Sequence, residues 1–347
     1  MGNTYRETIK YNCDVSDAKF WGYFSICGLL LRYRDLYRSE KGLKVWTNID
    51  RKEIAAWISE KEARWPELET GNFRDLAIDG KSYEPFDGEA INKALEPQGL
   101  VYGAGYGMYL KPTFFLAELK SIRKVSGLTV YTTGKEYVRD LFTASAMLQN
   151  ETVLLRLEPL MILLHYRYSE LNAKRNAALE DAFSHYGFRN RQLMDDTFEK
   201  RLEGLVARYA EIILQHEIAE HHEESPVWRE ILAAAGDRKN ELYLRALKDL
   251  IADTSGNGPL MRIVDTRDRG ALGLSIALME GFQRKLFPEI RHAYAEFLKH
   301  EDWDALDAVR RAGYERLIVD RERVHRLYEE SEGGGDFSDR LKTMLPV

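Results

Sequence analysis

Two short segments predict a β-hairpin in the middle of the chain: Phe114-Phe-Leu-Ala-Glu-Leu-Lys-Ser-Ile-Arg-Lys124 and Leu128-Thr-Val-Tyr-Thr132. Both are rich in the β-branched and aromatic residues that favour strands, and Ser126-Gly127 supplies the turn. From Lys135 onward the pattern turns helical and remains so. We therefore expect a predominantly α protein, in which an N-terminal α+β module with a β-hairpin precedes a C-terminal helical bundle. The expected ranges are 1–150 for the module, 151–331 for the bundle and 332–347 for a flexible tail that begins in a glycine run.

Capping residues and apolar spacing predict the helices. The first helix is expected from Ser16 to Arg38, with Asp14 or Ser16 as its N-cap, and Asp50 and Asp87 are expected to cap two more. A second short hairpin is expected at Asp79-Gly80. In the second half the predicted helices are 135–149, 151–186, 192–224, 227–235, 238–253, 270–300, 302–312 and 313–330.

Composition limits the class of protein. The 347 residues carry a formal net charge of -6, which argues against a general attraction to nucleic acid or to an anionic membrane. Only two cysteines are present, Cys13 and Cys27, which is typical of a reducing compartment. The polar N-terminal residues lack the apolar core of a signal peptide, so none is expected, and no apolar run approaches the ~20 residues that a membrane span needs. We expect a soluble cytoplasmic protein, and a homo-oligomer is compatible with these properties.

Three stretches carry a resemblance to a family. They are Gly22-Tyr-Phe-Ser-Ile-Cys-Gly-Leu-Leu-Leu-Arg-Tyr-Arg-Asp-Leu-Tyr37, Gly99-Leu-Val-Tyr-Gly-Ala-Gly-Tyr-Gly107 and Asp253-Thr-Ser-Gly-Asn-Gly-Pro-Leu260. With these segments the chain resembles an uncharacterised family of bacterial hypothetical proteins over most of its length. The resemblance implies no activity, cofactor or catalytic residue.

The segment Leu214-Gln-His-Glu-Ile-Ala-Glu-His-His-Glu-Glu224 carries the strongest functional signal. It holds three histidines and four glutamates in eleven residues that otherwise have a helical pattern. An apolar stripe leads into it, and the next positions of that stripe are His216 and Glu220. Buried imidazole and carboxylate groups need ion pairs or a metal, so this helix is a candidate for metal binding.

A larger set of residues fits a dinuclear carboxylate site. Such sites take one Glu from each of two helices and a Glu-x-x-His pair from each of two others. That spacing occurs at Glu289 and His292, and again at Glu322 and His325. The specific hypothesis is a redox protein that binds iron or manganese, with zinc as another metal that these residue types accept. The candidate ligands are His216, Glu217, Glu220, Glu158, His165, Glu289 and His292.

The competing hypothesis is a non-enzymatic interaction or regulatory protein. Arg156, Arg167 and Arg175 punctuate an apolar segment, and a buried arginine normally requires a carboxylate. Glu158, Glu217 or Glu220 would then serve a structural ion-pair network. The partner of such a protein is unknown.

Two other motifs have simpler interpretations than the activities they resemble. His216-Glu-Ile-Ala-Glu-His221 lacks the i, i+4 histidine pair of a zinc peptidase, so we reject that activity. The run Gly99 to Gly107 lacks the Gly-Lys-Ser/Thr ending of a phosphate loop, and a tight turn flanked by packed tyrosines is expected instead.

Overall fold

The computed structural model of this protein describes residues 4–107, 110–171, 176–190, 192–331 and 336–346. The chain divides into two compact units, Met1–Tyr166 and Arg167–Val347. Among the described residues, every strand belongs to the first unit, and the second unit is helical. The predicted mainly helical fold with a β-containing N-terminal part is confirmed. Within these ranges, no helix combines the length and apolar character needed to cross a bilayer.

The strands of the first unit form two sheets. A short hairpin pairs β1 (Leu76–Ile78) with β2 (Lys81–Tyr83). The larger sheet has the order β3-β4-β5-β7-β6, with β5 and β7 parallel and all other neighbours antiparallel. Its strands are β3 (Leu100–Tyr106), β4 (Pro112–Val125), β5 (Leu128–Arg139), β6 (Ala146–Gln149) and β7 (Thr152–Arg156).

The hairpin predicted in the middle of the chain is confirmed. Val125 of β4 pairs with Leu128 of β5, so the turn consists of Ser126 and Gly127. Their φ angles are 51° and 86°. Two consecutive positive φ angles give the turn the twist that two-residue hairpins favour. Glycine adopts a positive φ angle without steric strain, which explains its presence at position 127.

The helix predicted over residues 135–149 is wrong, and so is the start of the one predicted over 151–186. Strand β5 continues to Arg139, and β6 and β7 follow it. Val153, Leu154 and Leu155 are all buried in β7. A strand that is buried on both faces shows no alternation, so its apolar run resembles that of a buried helix. The expected module boundary near residue 150 falls between these two paired strands.

Most of the glycine-rich run from Gly99 to Gly107 forms β3 (Leu100–Tyr106) rather than the predicted tight turn. Gly103 pairs with Phe115 of β4. A Cβ atom at this position would overlap the Phe115 ring. The glycine therefore makes room for aromatic packing against the strand.

Six helices of the described residues begin in the first unit. The single helix predicted from Ser16 to Arg38 is instead two helices, because Ser25 caps a new helix by accepting a hydrogen bond from the Gly28 amide. The predicted caps Asp50 and Asp87 are confirmed. The helices are α1 (Thr4–Phe20), α2 (Ile26–Lys41), α3 (Arg51–Ala63), α4 (Trp65–Leu68), α5 (Gly88–Leu95) and α6 (Leu157–Glu170), with the division between the units inside α6.

The second unit follows the predicted helices in outline. The helix predicted over 270–300 is three helices, because Gly281 has a positive φ of 50° and Pro288 starts a new helix. The helices predicted over 302–312 and 313–330 are one. The described helices are α7 (Ala177–His185), α8 (Asp196–His222), α9 (Trp228–Ala233), α10 (Arg238–Thr254), α11 (Pro259–Thr266), α12 (Arg269–Leu278), α13 (Gly281–Leu286), α14 (Pro288–His300), α15 (Trp303–Glu330) and α16 (Phe337–Leu341).

The C-terminal segment differs from the flexible tail that the sequence predicts. Residues 332–335 and 347 lie outside the described residues. In between, α16 packs into the second unit, and the side chains of Phe337 and Leu341 are fully buried. Two apolar residues at i and i+4 are sufficient to anchor one helical turn, whatever glycines precede it.

Candidate metal centre

Two packed helices bring ionisable side chains together in the second unit. Helix α8 carries His216 and Glu220, and helix α10 carries Asp249 and Asp253. Both pairs have the i, i+4 spacing that places two side chains on one helix face. Since α8 and α10 contact each other, the two pairs meet.

His216 is the centre of this group. Its Nδ1 lies 2.7 Å from Oδ1 of Asp253, and its Nε2 lies 3.5 Å from Oε2 of Glu220. One donor atom each from His216, Glu220 and Asp249 lies within 4.8 Å of the other two. The three side chains therefore form a compact set of one nitrogen and two oxygen donors.

The group is accessible from solvent. The side chains of His216, Glu220 and Asp253 are each about one-fifth exposed. Lys248 of α10 forms an ion pair with Oε1 of Glu220. Gln283 donates a hydrogen bond of 3.4 Å from Nε2 to Oδ2 of Asp249. Polar neighbours thus hold the carboxylates, but none of these contacts closes the group to water.

The group has more acidic than basic members. Four carboxyl groups belong to Glu217, Glu220, Asp249 and Asp253, whereas the cationic candidates are His216 and Lys248. Burial raises the pKa of Glu217 to about 7 and the pKa of Asp249 to about 6. These raised values follow because burial penalises the charged form of a carboxyl group.

His216 and Glu220 respond to each other and to their partners. Burial opposes the charged form of His216, but Asp253 and Glu220 outweigh it and raise its pKa well above the usual value. Burial likewise opposes the charged form of Glu220. The hydrogen bond with His216 and the charge of Lys248 nevertheless lower the Glu220 pKa to about 2. His216 is consequently an imidazolium ion near neutral pH unless something replaces its proton.

Glu158 and His165 belong to the first unit and have local surroundings there. Oε2 of Glu158 accepts a 2.7 Å hydrogen bond from the Glu136 amide, and Ser39 donates one of 3.2 Å to Oε1. His165 is buried, and its ring centroid is 6.0 Å from that of Trp46. Burial lowers the pKa of His165 to about 4. Glu158 is thus part of the hydrogen bonding around the sheet.

Glu289 and His292 of α14 also stay outside the group of donor atoms around His216. Glu289 is exposed, and its Oε2 lies 3.2 Å from Nη2 of Arg316. His292 lines a separate cavity of about 850 Å³. Of the second Glu-x-x-His pair, His325 packs against Trp228 with a centroid distance of 5.7 Å. The dinuclear redox centre stays a prediction, and the described residues support a smaller site.

Asp249 and Asp253 are not among the ligands predicted from the sequence. Their spacing of four residues matches that of His216 and Glu220, and each falls within a predicted helix. That match was the available signal. Residue spacing does not show which helices pack together, so the contact between α8 and α10 could be identified only from the structure.

Two arginines of the predicted ion-pair network, Arg156 and Arg167, have other partners. Arg156 is buried and binds Glu136 with both Nε and Nη2, at 2.7 and 3.0 Å. Arg167 pairs with Glu170 and Glu280. Arg175 lies outside the described residues. The buried ion pair of Arg156 thus lies in the sheet of the first unit, with Glu136 as its partner.

Two domain models from one protein family match the chain. The N-terminal domain of the family of unknown function DUF6866 matches residues 4–156, and its C-terminal domain matches residues 162–345. The chain belongs to the DUF6866 family. The resemblance to a family without an assigned activity, predicted from the sequence, is confirmed. No curated protein and no solved structure matches this DUF6866 chain.

Proposed function

We propose that this DUF6866 protein binds one divalent transition-metal ion through His216, Glu220 and Asp249. The observation that carries the proposal is the convergence of three donor atoms within 4.8 Å on two packed helices. One imidazole and two carboxylates suit manganese, iron or zinc. Iron and manganese would add redox capacity, whereas zinc would not.

The distances are close to those of a coordination sphere. Donors bound to one ion at about 2.0–2.2 Å lie no more than about 4.4 Å apart. A separation of 4.8 Å therefore requires only a small rotation of the three side chains. Such a rotation is available, because the side chains are partly exposed.

The charge of the group supports the same proposal. Four carboxyl groups surround one imidazole and one ammonium group, so full ionisation leaves an excess of two negative charges. A divalent cation would displace the proton from His216, which leaves an excess of three negative charges, and would offset two of them. Metal affinity should therefore rise with pH as His216 and Asp249 lose their protons.

Asp253 would act as a positioning residue. Its carboxylate accepts a hydrogen bond of 2.7 Å from Nδ1 of His216. A carboxylate on one ring nitrogen of a histidine fixes the tautomer in which the other nitrogen is the ligand. Here that nitrogen is Nε2, which is on the side of Glu220.

A second candidate function rests on Lys248. Its ion pair with Glu220, together with the pair between His216 and Asp253, already forms a chain of alternating charges. In that case the group would be a structural ion-pair network in an interaction or regulatory protein, and it would need no metal. The two functions differ in their response to chelation.

Metal content distinguishes the two candidates. Protein purified without a histidine tag should retain about one equivalent of manganese, iron or zinc, and chelation should lower its melting temperature. His216→Ala should abolish retention, whereas His222→Ala, an exposed histidine on the same helix, should not. Metal-free wild-type protein that melts identically with and without added metal would favour the structural network.

We also propose a cytoplasmic location. Cys13 is buried and Cys27 is exposed, and both are free thiols. An exposed free thiol suits a reducing compartment. Alkylation of Cys27 in intact cells, measured by mass spectrometry, tests this location, because a disulfide-linked Cys27 would contradict it.

A further inference from the structure

A cleft on the second unit carries a local concentration of positive charge. It has a volume of about 650 Å³ and lies between α13, α15 and the C-terminal residues. The basic side chains that line it are Lys285, Arg316, Arg323 and Arg326, and the acidic ones are Asp320 and Glu330. The chain as a whole has a net charge of -6, whereas the basic residues of this cleft outnumber its acidic residues.

The acidic residues of the cleft are already paired. Asp320 lies 3.2 Å from Nη1 of Arg323 and 3.9 Å from Nη1 of Arg316. Glu330 lies 2.6 Å from Nη2 of Arg340, which does not line the cleft. Within the part of the chain that the structure describes, neither Lys285 nor Arg326 makes an ion pair.

The arrangement of these residues concentrates their charge. Arg316, Asp320 and Arg323 recur along α15 at intervals of four and three residues, so they share one helix face. Lys285 approaches the same cleft from α13. Asp320 offsets part of the charge of Arg316 and Arg323, and Glu289 pairs with Arg316 at 3.2 Å, so among the described residues the cationic charge of the cleft without an ion-pair partner is that of Lys285 and Arg326.

Apolar side chains complete the lining. Leu286, Leu327, Met344 and Pro346 contribute to the same cleft. A volume of about 650 Å³ falls in the range of about 300–1,000 Å³ that is usual for small-molecule sites. The cleft is thus larger than a single inorganic ion requires, and part of its wall can contact the apolar part of an organic ligand.

We infer that this cleft binds an organic molecule that carries more than one phosphate group. Arginine presents a planar fork of donors that matches phosphate oxygens, and lysine adds a mobile point charge. Arg326 and Lys285 have donors available for this purpose, while the charges of Arg316 and Arg323 are partly offset by Asp320 and Glu289. This site is distinct from the proposed metal centre, because the two share no lining residue.

Calorimetric titration of the full chain with ATP and with inorganic tripolyphosphate, in metal-free buffer, tests the inference. Both should bind, with ATP tighter because of the apolar wall. The paired substitutions Lys285→Gln and Arg326→Gln should weaken both by about tenfold or more. The matched control is Arg229→Gln with Lys239→Gln, which removes the same charge from exposed positions outside the cleft.

Three results would overturn the inference. The first is no saturable binding of either probe. The second is an equal loss of affinity in the control variant, which would indicate general attraction of anions. The third is citrate binding as tightly as tripolyphosphate, which would indicate no preference for phosphate. His216→Ala should leave the titration unchanged, so a failure here is independent of the proposed metal centre.

Discussion

Glu217 is a buried carboxyl group, and burial disfavours its charged form. It is only 9% exposed, it neighbours His216 in sequence, and burial raises its pKa to about 7. Because the folded-state pKa is above the unfolded value, the folded protein binds this proton more tightly. The stability that results is complete at low pH and is lost as the pH rises towards the folded-state pKa.

Replacing this residue gives a pH-dependent prediction. In metal-free protein, Glu217→Gln should raise the free energy of unfolding by about 1–3 kcal/mol at pH 8 and change it little near pH 4. The reason is that the amide remains neutral where the carboxylate must ionise. Chemical denaturation at both pH values measures the difference.

Glu203→Gln is the control for that measurement, since Glu203 is exposed on the same helix. It should alter stability equally little at both pH values. A Glu217→Gln variant with the same stability change at pH 4 and pH 8 would contradict the raised pKa.

Single residues also show what the sequence can specify locally. The turn at Ser126 and Gly127 and the caps Asp50 and Asp87 were predictable, because each acts on backbone groups within three residues of itself. Gly103 was not, because its role depends on Phe115, which lies across the sheet.

At the scale of elements, length and burial decide which predictions succeed. The helices α8 and α10 were predicted within a few residues, because each has a long apolar stripe and an aspartate cap. Strand β7 was missed because it is short and buried. Its apolar run fits a strand or a helix equally well until the partner strands are known.

Helix α16 supplies the prediction at this scale. Phe337 is fully buried, so Phe337→Ala should lower the free energy of unfolding by about 3–5 kcal/mol. Asp339 belongs to the same helix, and its side chain is 84% exposed. Asp339→Ala should therefore have an effect below about 0.5 kcal/mol. Denaturant titration of both variants checks this, and equal effects would mean that α16 does not pack as described.

At the scale of the whole molecule, the two units differ in what the sequence could predict. The mixed character of the first and the helical character of the second were both visible from residue patterns. The site was only partly visible. His216 and Glu220 are neighbours on one helix, but Asp249 joins them through packing between α8 and α10, which no local pattern encodes.

Both proposed sites lie in the second unit, which would then be the part of the molecule that binds small ligands. One group of donors is acidic and would take a cation, whereas the cleft is basic and would take an anion. The donor atoms of the first site and the basic residues of the cleft all lie on helices, which favours fixed geometry. The two sites can be tested independently, with His216→Ala for the metal centre and Lys285→Gln with Arg326→Gln for the cleft.

The most direct test of the central claim is a cobalt(II) titration of metal-free protein, followed by visible absorption at pH 7.5. Wild-type protein should reach saturation at about one equivalent, and Asp249→Asn should weaken binding by at least about tenfold. A decrease of the pH to 5.5 should weaken it as well, because Asp249, whose pKa is about 6, is then largely protonated and protons compete more strongly with the ion for His216. Identical titrations of wild-type protein and Asp249→Asn, or no saturable binding at all, would contradict the claim that these two helices hold a metal ion.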